Sequence, residues 1–331
     1  MRKLIAVNLA ILLGMMLLAL AALEAYLRLT VPRSSSETIF TYTLDTKRYK
    51  LMKANAAVTA WGTELRTNEL GFRDNDATVP AKQPGEFRIV VLGASFTVGA
   101  GVAYDAIYTS VLEKRLRQSH PHVTVINLAV GGYNIIQSAL VLREVGLGLA
   151  PDLILIGISP DADFRLGTYE TNFRVAAGQA VSVPSEPLYK NLYAYRAYGA
   201  KLYTRLKRVF RDKPPADQSS QEWEENAAAL KAVVLMARER NVPVRAVLLA
   251  ETWNFEQQLS SFARVEHQCA ALEIVCLNIL KPFIARGVDE ASLRLNALDA
   301  HPNARYHALV AEELAASLKP VVKPRVVRTS G

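Results

Sequence analysis

Apolar residues in this 331-residue chain follow two distinct patterns. The first is one long run from Leu4 to Leu23, broken only by Asn8 and by small residues. The second begins after Gly85, where short apolar runs alternate with amphipathic stretches. The short runs are residues 88–92, 123–129, 153–158, 244–249 and 272–277, and the amphipathic stretches are residues 105–118, 135–145, 222–240, 255–271 and 303–318.

The second pattern predicts an α/β fold. Short, near-continuous apolar runs are typical of strands that are covered on both faces, and the stretches between them have the spacing of helices. Strands that alternate with helices in this way form a parallel sheet with helices packed on each side. We therefore expect a three-layer α/β/α domain built on a parallel five-stranded sheet.

The long run predicts a membrane anchor. Twenty residues at about 1.5 Å rise per residue cover roughly the 30 Å hydrocarbon core of a bilayer. A cleaved signal peptide shares the basic start, Arg2 and Lys3, but its apolar region is usually only about 7–15 residues long. With either alternative, the basic start favours a cytoplasmic N-terminus and a chain that continues on the far side of the membrane.

These patterns divide the chain into four segments. Residues 1–30 are predicted to be the transmembrane signal anchor, and residues 31–86, which are mixed and polar, a stalk and lead-in. The α/β domain covers residues 87–320 and is interrupted by an insertion at about 164–221. Residues 321–331 form a basic tail.

Charge and cysteine content narrow the possible partners. The net charge is +8, and residues 190–213 combine eight basic residues and one acidic residue with interleaved tyrosines. Such a mixture suits a lipid headgroup layer or an anionic polymer, or else a solvated helix face. Nucleic acid is not expected as a partner for a domain outside the cytoplasm. Cys269 and Cys276 match no metal or redox motif, and they could form a disulfide or remain two buried thiols.

Candidate chemistry lies at the ends of successive predicted strands, where functional groups collect in an open parallel sheet. Ser95 follows the first strand after the small residues Gly93 and Ala94, and Gly132 lies in the loop after the second. Asp299 and His301 come just before the last helix. Taken singly, each of these residues is more often a helix cap, a turn or a structural histidine; their joint occurrence in this order points to a site.

These residue types suit acyl transfer through a serine. A serine hydroxyl becomes a nucleophile when a base takes its proton, and His301 suits that role because imidazole titrates near neutrality. Asp299 would hold the imidazole tautomer and stabilise the imidazolium. The amides of Ser95 and Gly132 could stabilise the oxyanion. This chemistry needs no cofactor and no metal.

The chain resembles the SGNH (GDSL-type) hydrolases, and most of all their membrane-anchored bacterial members. The resemblance rests on residues 93–99 (Gly-Ala-Ser-Phe-Thr-Val-Gly), on Gly132, on residues 299–303 (Asp-Ala-His-Pro-Asn) and on the lead-in Thr67-Asn-Glu-Leu-Gly-Phe-Arg73. It spans about residues 65–318 and implies a flavodoxin-like α/β/α fold. It also implies esterase, lipase or O-acetyl-ester activity in which Ser95, Asp299 and His301 form the triad and Gly132 contributes to the oxyanion hole.

Three positions depart from the family pattern. Ala94 replaces the aspartate that usually precedes the serine, and one residue, not two, separates Asp299 from His301. No asparagine occurs within residues 160–163, where the family has a side-chain oxyanion donor. Asp161 is the nearest equivalent, although an ionised carboxylate would repel an oxyanion, and Asn134 could substitute from the neighbouring loop.

Three functions remain open at this point. The first is a periplasmic esterase, anchored in the bacterial inner membrane as a single-pass protein, that removes acyl or acetyl groups from an envelope glycan or lipid. The second is an O-acyltransferase that uses the same triad, and the third is a catalytically weak envelope assembly or binding protein. Trp253, after the fourth strand, could stack on a sugar, line an acyl pocket or pack internally. The natural substrate, any protein partner and the oligomeric state are left undetermined.

Overall fold

The computed structural model describes residues 2–30, 40–42, 50–164, 173–176, 179–182, 216–296 and 299–322. It contains two compact units, one formed by residues 1–34 and 169–217 and the other by residues 35–168 and 218–331.

Strands and helices are numbered here along the chain. The described strands are β1 (Phe40–Tyr42), β2 (Lys50–Met52), β3 (Ala57–Ala60), β4 (Thr63–Arg66), β5 (Phe87–Leu92), β6 (Val123–Asn127), β7 (Leu153–Ile158), β8 (Phe173–Ala176), β9 (Gln179–Ser182), β10 (Val244–Leu248), β11 (Val275–Asn278), β12 (Arg294–Asn296) and β13 (Asp299–Pro302). The α-helices are α1 (Arg2–Thr30), α2 (Ser95–Val98), α3 (Tyr108–Arg117), α4 (Ile135–Glu144), α5 (Pro160–Asp163), α6 (Ala216–Arg238), α7 (Phe255–Ala271), α8 (Leu280–Ala285) and α9 (Ala304–Leu318). Short 3-10 helices cover Tyr104–Ala106, Gly146–Leu149 and Glu290–Leu293.

The first unit contains α1 and the antiparallel hairpin of β8 and β9. Within α1 the segment Lys3–Leu29, 27 residues, is long and apolar enough to cross a membrane, and its most apolar part is not buried. A signal sequence would meet the same criteria of length and composition. The basic, tyrosine-rich stretch at residues 190–213 lies outside the described residues, and so does most of the predicted insertion.

The second unit is built on a sheet of five parallel strands in the order β11-β10-β7-β5-β6. Numbered by their order along the chain and read from the β6 edge, these strands run 2-1-3-4-5, which is the flavodoxin-like order. The prediction of a parallel five-stranded sheet is therefore confirmed. Each of the five apolar runs forms one strand, and every residue of the central strand β7 is buried.

Helices cover both faces of this sheet. On one face, Asn127 of β6 donates a hydrogen bond to the Thr109 hydroxyl of α3, and α9 packs beside α3. On the other face, the 3-10 turn after α4 lies against β5, with the position of a Cβ on Gly146 only 3.5 Å from a methyl group of Val90. The unit therefore has the three-layer α/β/α arrangement.

Several boundaries differ from the predicted ones. The strand predicted at residues 272–277 begins only at Val275, because Leu272 still donates hydrogen bonds to the last turn of α7. The helix predicted at residues 105–118 is divided at Ile107, whose extended backbone separates a 3-10 turn from α3. The helix predicted from residue 222 begins at Ala216.

The two cysteines lie on neighbouring elements of the second unit. Cys269 is buried in α7, Cys276 is half-buried in β11, and both are free thiols that hydrogen-bond to each other. This contact lowers the pKa of the Cys269 thiol and raises that of the Cys276 thiol.

Candidate active site

A cavity of about 320 Å³ opens at the carboxyl end of the parallel sheet. It lies where functional sites collect in this type of fold, since the loops after successive strands meet there. The residues that line it are Ala94, Ser95, Phe96, Thr97, Gly157, Ser159, Asp163, Leu249, Glu251, Trp253, Asp299, Ala300 and His301. All three predicted triad residues are among them.

Ser95 is the first residue of α2, directly after a sharp turn at the end of β5. Gly93 has a φ of +153°, and a Cβ there would overlap the Thr97 side chain and lie 3.0 Å from the Gly157 carbonyl oxygen. Only glycine fits this turn without displacing its neighbours. The turn brings Ser95 to the cavity wall.

Arg73, in the lead-in segment of the sequence, stabilises the backbone that follows this turn. The buried guanidinium of Arg73 donates hydrogen bonds to the carbonyl oxygens of Val98, Gly99 and Val102, at 2.8, 2.6 and 2.6 Å. Burial lowers the pKa of Arg73 to about 10, so the side chain stays charged at neutral pH. Arg73 thus satisfies carbonyl groups that α2 and the loop after it leave without helical partners.

The loop after β6 approaches Ser95 from the neighbouring strand. The Val130 amide donates to the Gly93 carbonyl at 3.1 Å, and a Cβ on Gly131 would lie 4.0 Å from the Cβ of Ser95. Gly132 follows in the left-handed region, with a φ of +85°. The two glycines let this backbone come close to the serine, while the oxyanion role of Gly132 stays a prediction.

Asp299 and His301 lie on β13, which pairs with β12. The Nδ1 atom of His301 lies 2.7 Å from Oδ1 of Asp299, and the same oxygen accepts the His301 backbone N–H at 3.0 Å. Because an ionised carboxylate only accepts, the proton of a neutral imidazole lies on Nδ1. The nitrogen left to accept a proton is Nε2, as general-base chemistry requires.

The histidine strand is tied to the end of β10. The buried Thr252 hydroxyl donates to the carbonyl of Ala300, the residue between Asp299 and His301. The Thr252 carbonyl in turn accepts from Nε of Arg294 on β12, at 2.7 Å. The His301 ring also packs edge-on against Phe96, with 5.9 Å between the ring centroids. Phe96 is the neighbour of Ser95, so the histidine and the serine share one wall of the cavity.

An acidic group lies deeper in the same cavity. Oδ2 of Asp163 accepts the Ser159 backbone N–H at 2.6 Å, and the Ser159 hydroxyl donates to Glu251 at 3.4 Å. Burial, with a smaller contribution from the nearby Glu251 carboxylate, raises the pKa of the Asp163 carboxyl to about 8 against the opposing effect of the Ser159 N–H. Asp163 is therefore mostly protonated at neutral pH.

Of the two suggested oxyanion donors, Asn134 is placed by the structure and the Asp161 side chain is not described. Asn134 caps α4, where its side chain accepts the Gln137 N–H and Gln137 bonds back to its backbone, and it is not one of the lining residues. Asp161 lies in α5, and its side chain is outside the described part of the chain. Both suggestions stay predictions.

Several lining residues were not anticipated from the sequence. Ser159 follows β7, Asp163 ends α5, and Leu249 is the last residue of the apolar run that forms β10; only this closeness to strand ends could have marked them. Trp253 is placed on the cavity wall and is 38% exposed, so it does not pack internally. Within the described residues, no group of three or more His, Cys, Asp or Glu side chains is placed to hold a metal ion.

Comparisons with known proteins were made for the sequence and for the structure. No protein-family model matches the chain, and no curated protein matches it in sequence. Among solved structures, it is similar to TesA (16% identity, TM-score 0.46), covering 71% of this chain and 99% of that one. It is also similar to a lipase/acylhydrolase from Enterococcus faecalis (13% identity, TM-score 0.45), covering 72% and 98%. A third is a GDSL-like lipase from Bacteroides thetaiotaomicron (14% identity, TM-score 0.42), covering 74% and 93%.

What this chain can do chemically depends on the residues that line its cavity. The strand order by itself gives this chain the flavodoxin-like α/β/α fold that its resemblance to the SGNH hydrolases implied.

Proposed function

We propose that this protein is a membrane-anchored serine ester hydrolase of the SGNH type. It acts on acyl or O-acetyl esters of an envelope glycan or lipid, with Ser95 as nucleophile, His301 as general base and Asp299 as the group that orients the histidine. The observation that carries the proposal is the 2.7 Å contact between His301 and Asp299 in the cavity that Ser95 also lines. A base held by a carboxylate beside a serine is the arrangement that activates a hydroxyl.

The reaction follows from these roles. Nε2 of His301 takes the Ser95 hydroxyl proton as the serine oxygen attacks the ester carbonyl, which gives a tetrahedral oxyanion and an imidazolium. The imidazolium then returns its proton to the departing alcohol as the C–O bond breaks, leaving an acyl-serine. A water molecule, deprotonated by the same imidazole, attacks this ester. The tetrahedral intermediate that forms then collapses and releases the carboxylic acid. The imidazolium returns its proton to the serine oxygen, which restores the Ser95 hydroxyl.

The oxyanion needs donors that are in place before the reaction. We assign this role to the backbone N–H groups of Ser95 and Gly132. The close approach of Gly131 to Ser95 supports the assignment, because Gly132 is the next residue in the same loop. Removing one such donor typically costs about 10²–10³ in kcat.

The N-terminal helix supports the proposed location. An apolar segment of 27 residues preceded by Arg2 is consistent with a single-pass anchor whose C-terminal side faces away from the cytoplasm. We therefore place the hydrolase unit in the periplasm of a bacterial cell, tethered to the inner membrane. An alkaline phosphatase reporter fused at the C-terminus should be active, and an inactive one would contradict this orientation.

Hydrolysis by the purified full-length chain in detergent tests the chemistry. The probes are p-nitrophenyl acetate and p-nitrophenyl butyrate, and a fluorophosphonate reports a reactive serine by covalent labelling. Ser95→Ala should abolish both signals. Ser261→Ala is the matched control, since that hydroxyl bonds within its own helix α7, to the Gln258 carbonyl. Hydrolysis that survives in Ser95→Ala, or no labelling of the native chain, would refute the proposed function.

A further inference from the structure

We propose that Trp253 and Glu251 form a sugar-binding subsite at the cavity, which takes an uncharged pyranose ring carrying the ester. Trp253 supplies the aromatic face and Glu251 fixes the ring. The inference rests on the proposed function and selects a glycan, not a lipid, as the substrate class.

The first observation is the display of a large aromatic side chain in the cavity wall. Trp253 lines the cavity and leaves 38% of its surface exposed. A tryptophan that packs in a core is far more enclosed than this, and leaving its ring in contact with water forgoes the gain from burial. The indole N–H donates to Oε2 of Glu251, so the polar edge of the ring already has a partner. An apolar face is what remains for a ligand to contact.

The second observation is the bracing of the backbone around this ring. Buried Gln258 donates to the carbonyls of Glu251 and Trp253 and accepts the Glu251 N–H at 2.8 Å. Asn254, the next residue, has a φ of +37°, in the left-handed region that asparagine adopts more readily than most residues other than glycine. These contacts hold the backbone around Trp253, and the hydrogen bond from its indole N–H to Glu251 orients the ring.

The third observation links this turn to the catalytic machinery. Thr252, between Glu251 and Trp253, donates its hydroxyl to the carbonyl of Ala300, and Ala300 separates Asp299 from His301. One hydrogen bond therefore links the segment that carries the Trp253 ring to the segment that carries the proposed base, His301. A sugar ring stacked on Trp253 would carry its acylated hydroxyl groups within the same cavity as Ser95.

The charges of the cavity select among sugars. Its ionisable lining residues are Asp163, Glu251, Asp299 and His301, and no lysine or arginine is among the described lining residues. Asp163 is mostly neutral at neutral pH, so two carboxylates dominate. These half-buried carboxylates disfavour phosphate headgroups and uronic acids, because like charges repel each other. An uncharged sugar remains compatible with the site.

The first test compares two substrates on the full-length protein in detergent: p-nitrophenyl acetate, which has no sugar, and O-acetylated cellotriose, which is uncharged. Trp253→Ala should raise KM for the triose about 10-fold, the value of a good aromatic contact, and leave kcat unchanged. Trp253→Phe keeps an aromatic face and should restore most of the affinity. Each variant should lose less hydrolysis of p-nitrophenyl acetate than of the triose, because only the triose carries a sugar. Leu259→Ala, on α7, is the control for loss of an exposed apolar side chain.

The second test separates two roles of Glu251, which are to hold the Trp253 ring and to supply a negative charge. Glu251→Gln keeps an oxygen that accepts the indole N–H, so KM for O-acetylated cellotriose should stay at the native value. The same variant removes one negative charge, so hydrolysis of O-acetylated trigalacturonate, which the native protein should cleave poorly, should increase. Glu251→Ala frees the ring and should raise KM for cellotriose as Trp253→Ala does.

A direct measurement of binding tests the subsite independently of catalysis, which matters where a variant folds poorly and loses activity for that reason. In the Ser95→Ala background, O-acetylated cellotriose should change the tryptophan fluorescence, and this change should vanish with Trp253→Phe while Trp61 and Trp223 remain. An unchanged KM in Trp253→Ala, or equal losses on both substrates, overturns the subsite. So does Ser95-dependent cleavage of p-nitrophenyl acetate without cleavage of the triose. Failure of the proposed function is a different result, namely hydrolysis that does not depend on Ser95.

Discussion

Gly157→Ala tests how tightly the serine turn is packed against the sheet. Gly157 lies in the central strand β7 beneath α2, and its missing side chain leaves room for Thr97. A Cβ at this position would lie 2.5 Å from the Thr97 hydroxyl oxygen, 3.0 Å from the Tyr108 hydroxyl and 3.2 Å from Leu249. The first of these distances is far inside van der Waals contact, so Thr97 must move. Thr97 is two residues from Ser95 in the same short helix.

The size of the effect follows from this overlap. An ordinary contact needs about 3.5 Å, so Thr97 must shift by about 1 Å and pull on the hydrogen bond it accepts from Tyr108. Inserting one methyl group into such a packed region costs about 1–3 kcal/mol of folding free energy. That loss corresponds to a Tm lower by roughly 2–12 °C for a unit of this size. A displacement of about 1 Å at Ser95 would lower kcat by about 10²-fold.

The assays are thermal unfolding and kcat for p-nitrophenyl acetate. Gly148→Ala is the matched control, since a Cβ there meets nothing within 4 Å. Thr97→Ala removes the overlapping hydroxyl, so the double variant with Gly157→Ala should lose less than the two single losses combined. Native kcat and Tm in Gly157→Ala, or strictly additive losses in the double variant, would refute the reasoning.

Three further predictions concern buried charged and titratable groups. Arg73→Met removes the side-chain donor of three buried carbonyl groups and should lower the free energy of unfolding by at least about 3 kcal/mol in a urea titration. A loss below about 1 kcal/mol, the value of one neutral hydrogen bond, would contradict the bracing role. Burial raises the pKa of Asp163 to about 8, so the folded chain keeps a proton that the unfolded chain releases near pH 4, and stability is lost as the pH rises from about 4 to 8. Asp163→Asn removes this loss, so its Tm relative to the native chain should rise across that range. Burial lowers the pKa of His307 to about 3, so its effect on stability depends on pH in the opposite direction. The stability that His307 contributes is complete above about pH 6.5 and is lost as the pH falls toward 3. His307→Gln should therefore flatten the acid limb of a plot of Tm against pH.

The fold could be predicted from the sequence because its signals are local and repeated. Each apolar run is too short for a helix and too apolar for a half-exposed strand, so burial between two helical layers is the arrangement that satisfies it. The small residues before Ser95 likewise indicated a tight turn, and Gly93 adopts a conformation that favours glycine. These features depend on neighbours in the sequence, which is why they were visible before any coordinates.

Only the tertiary structure decided how distant residues meet. Nothing in the sequence linked Arg73 to the carbonyls around Gly99, or Thr252 to Ala300, because these contacts join segments whose separation in the chain carries no periodic signal. The same holds for Asp163, whose raised pKa depends on burial in a finished cavity beside Glu251. Hydrophobic periodicity is a property of a segment, whereas hydrogen-bond partners and dielectric surroundings are properties of the packed molecule. The sequence therefore determined the layers and the candidate residues, and the packing of those layers determined the contacts and protonation states that the candidate residues acquire.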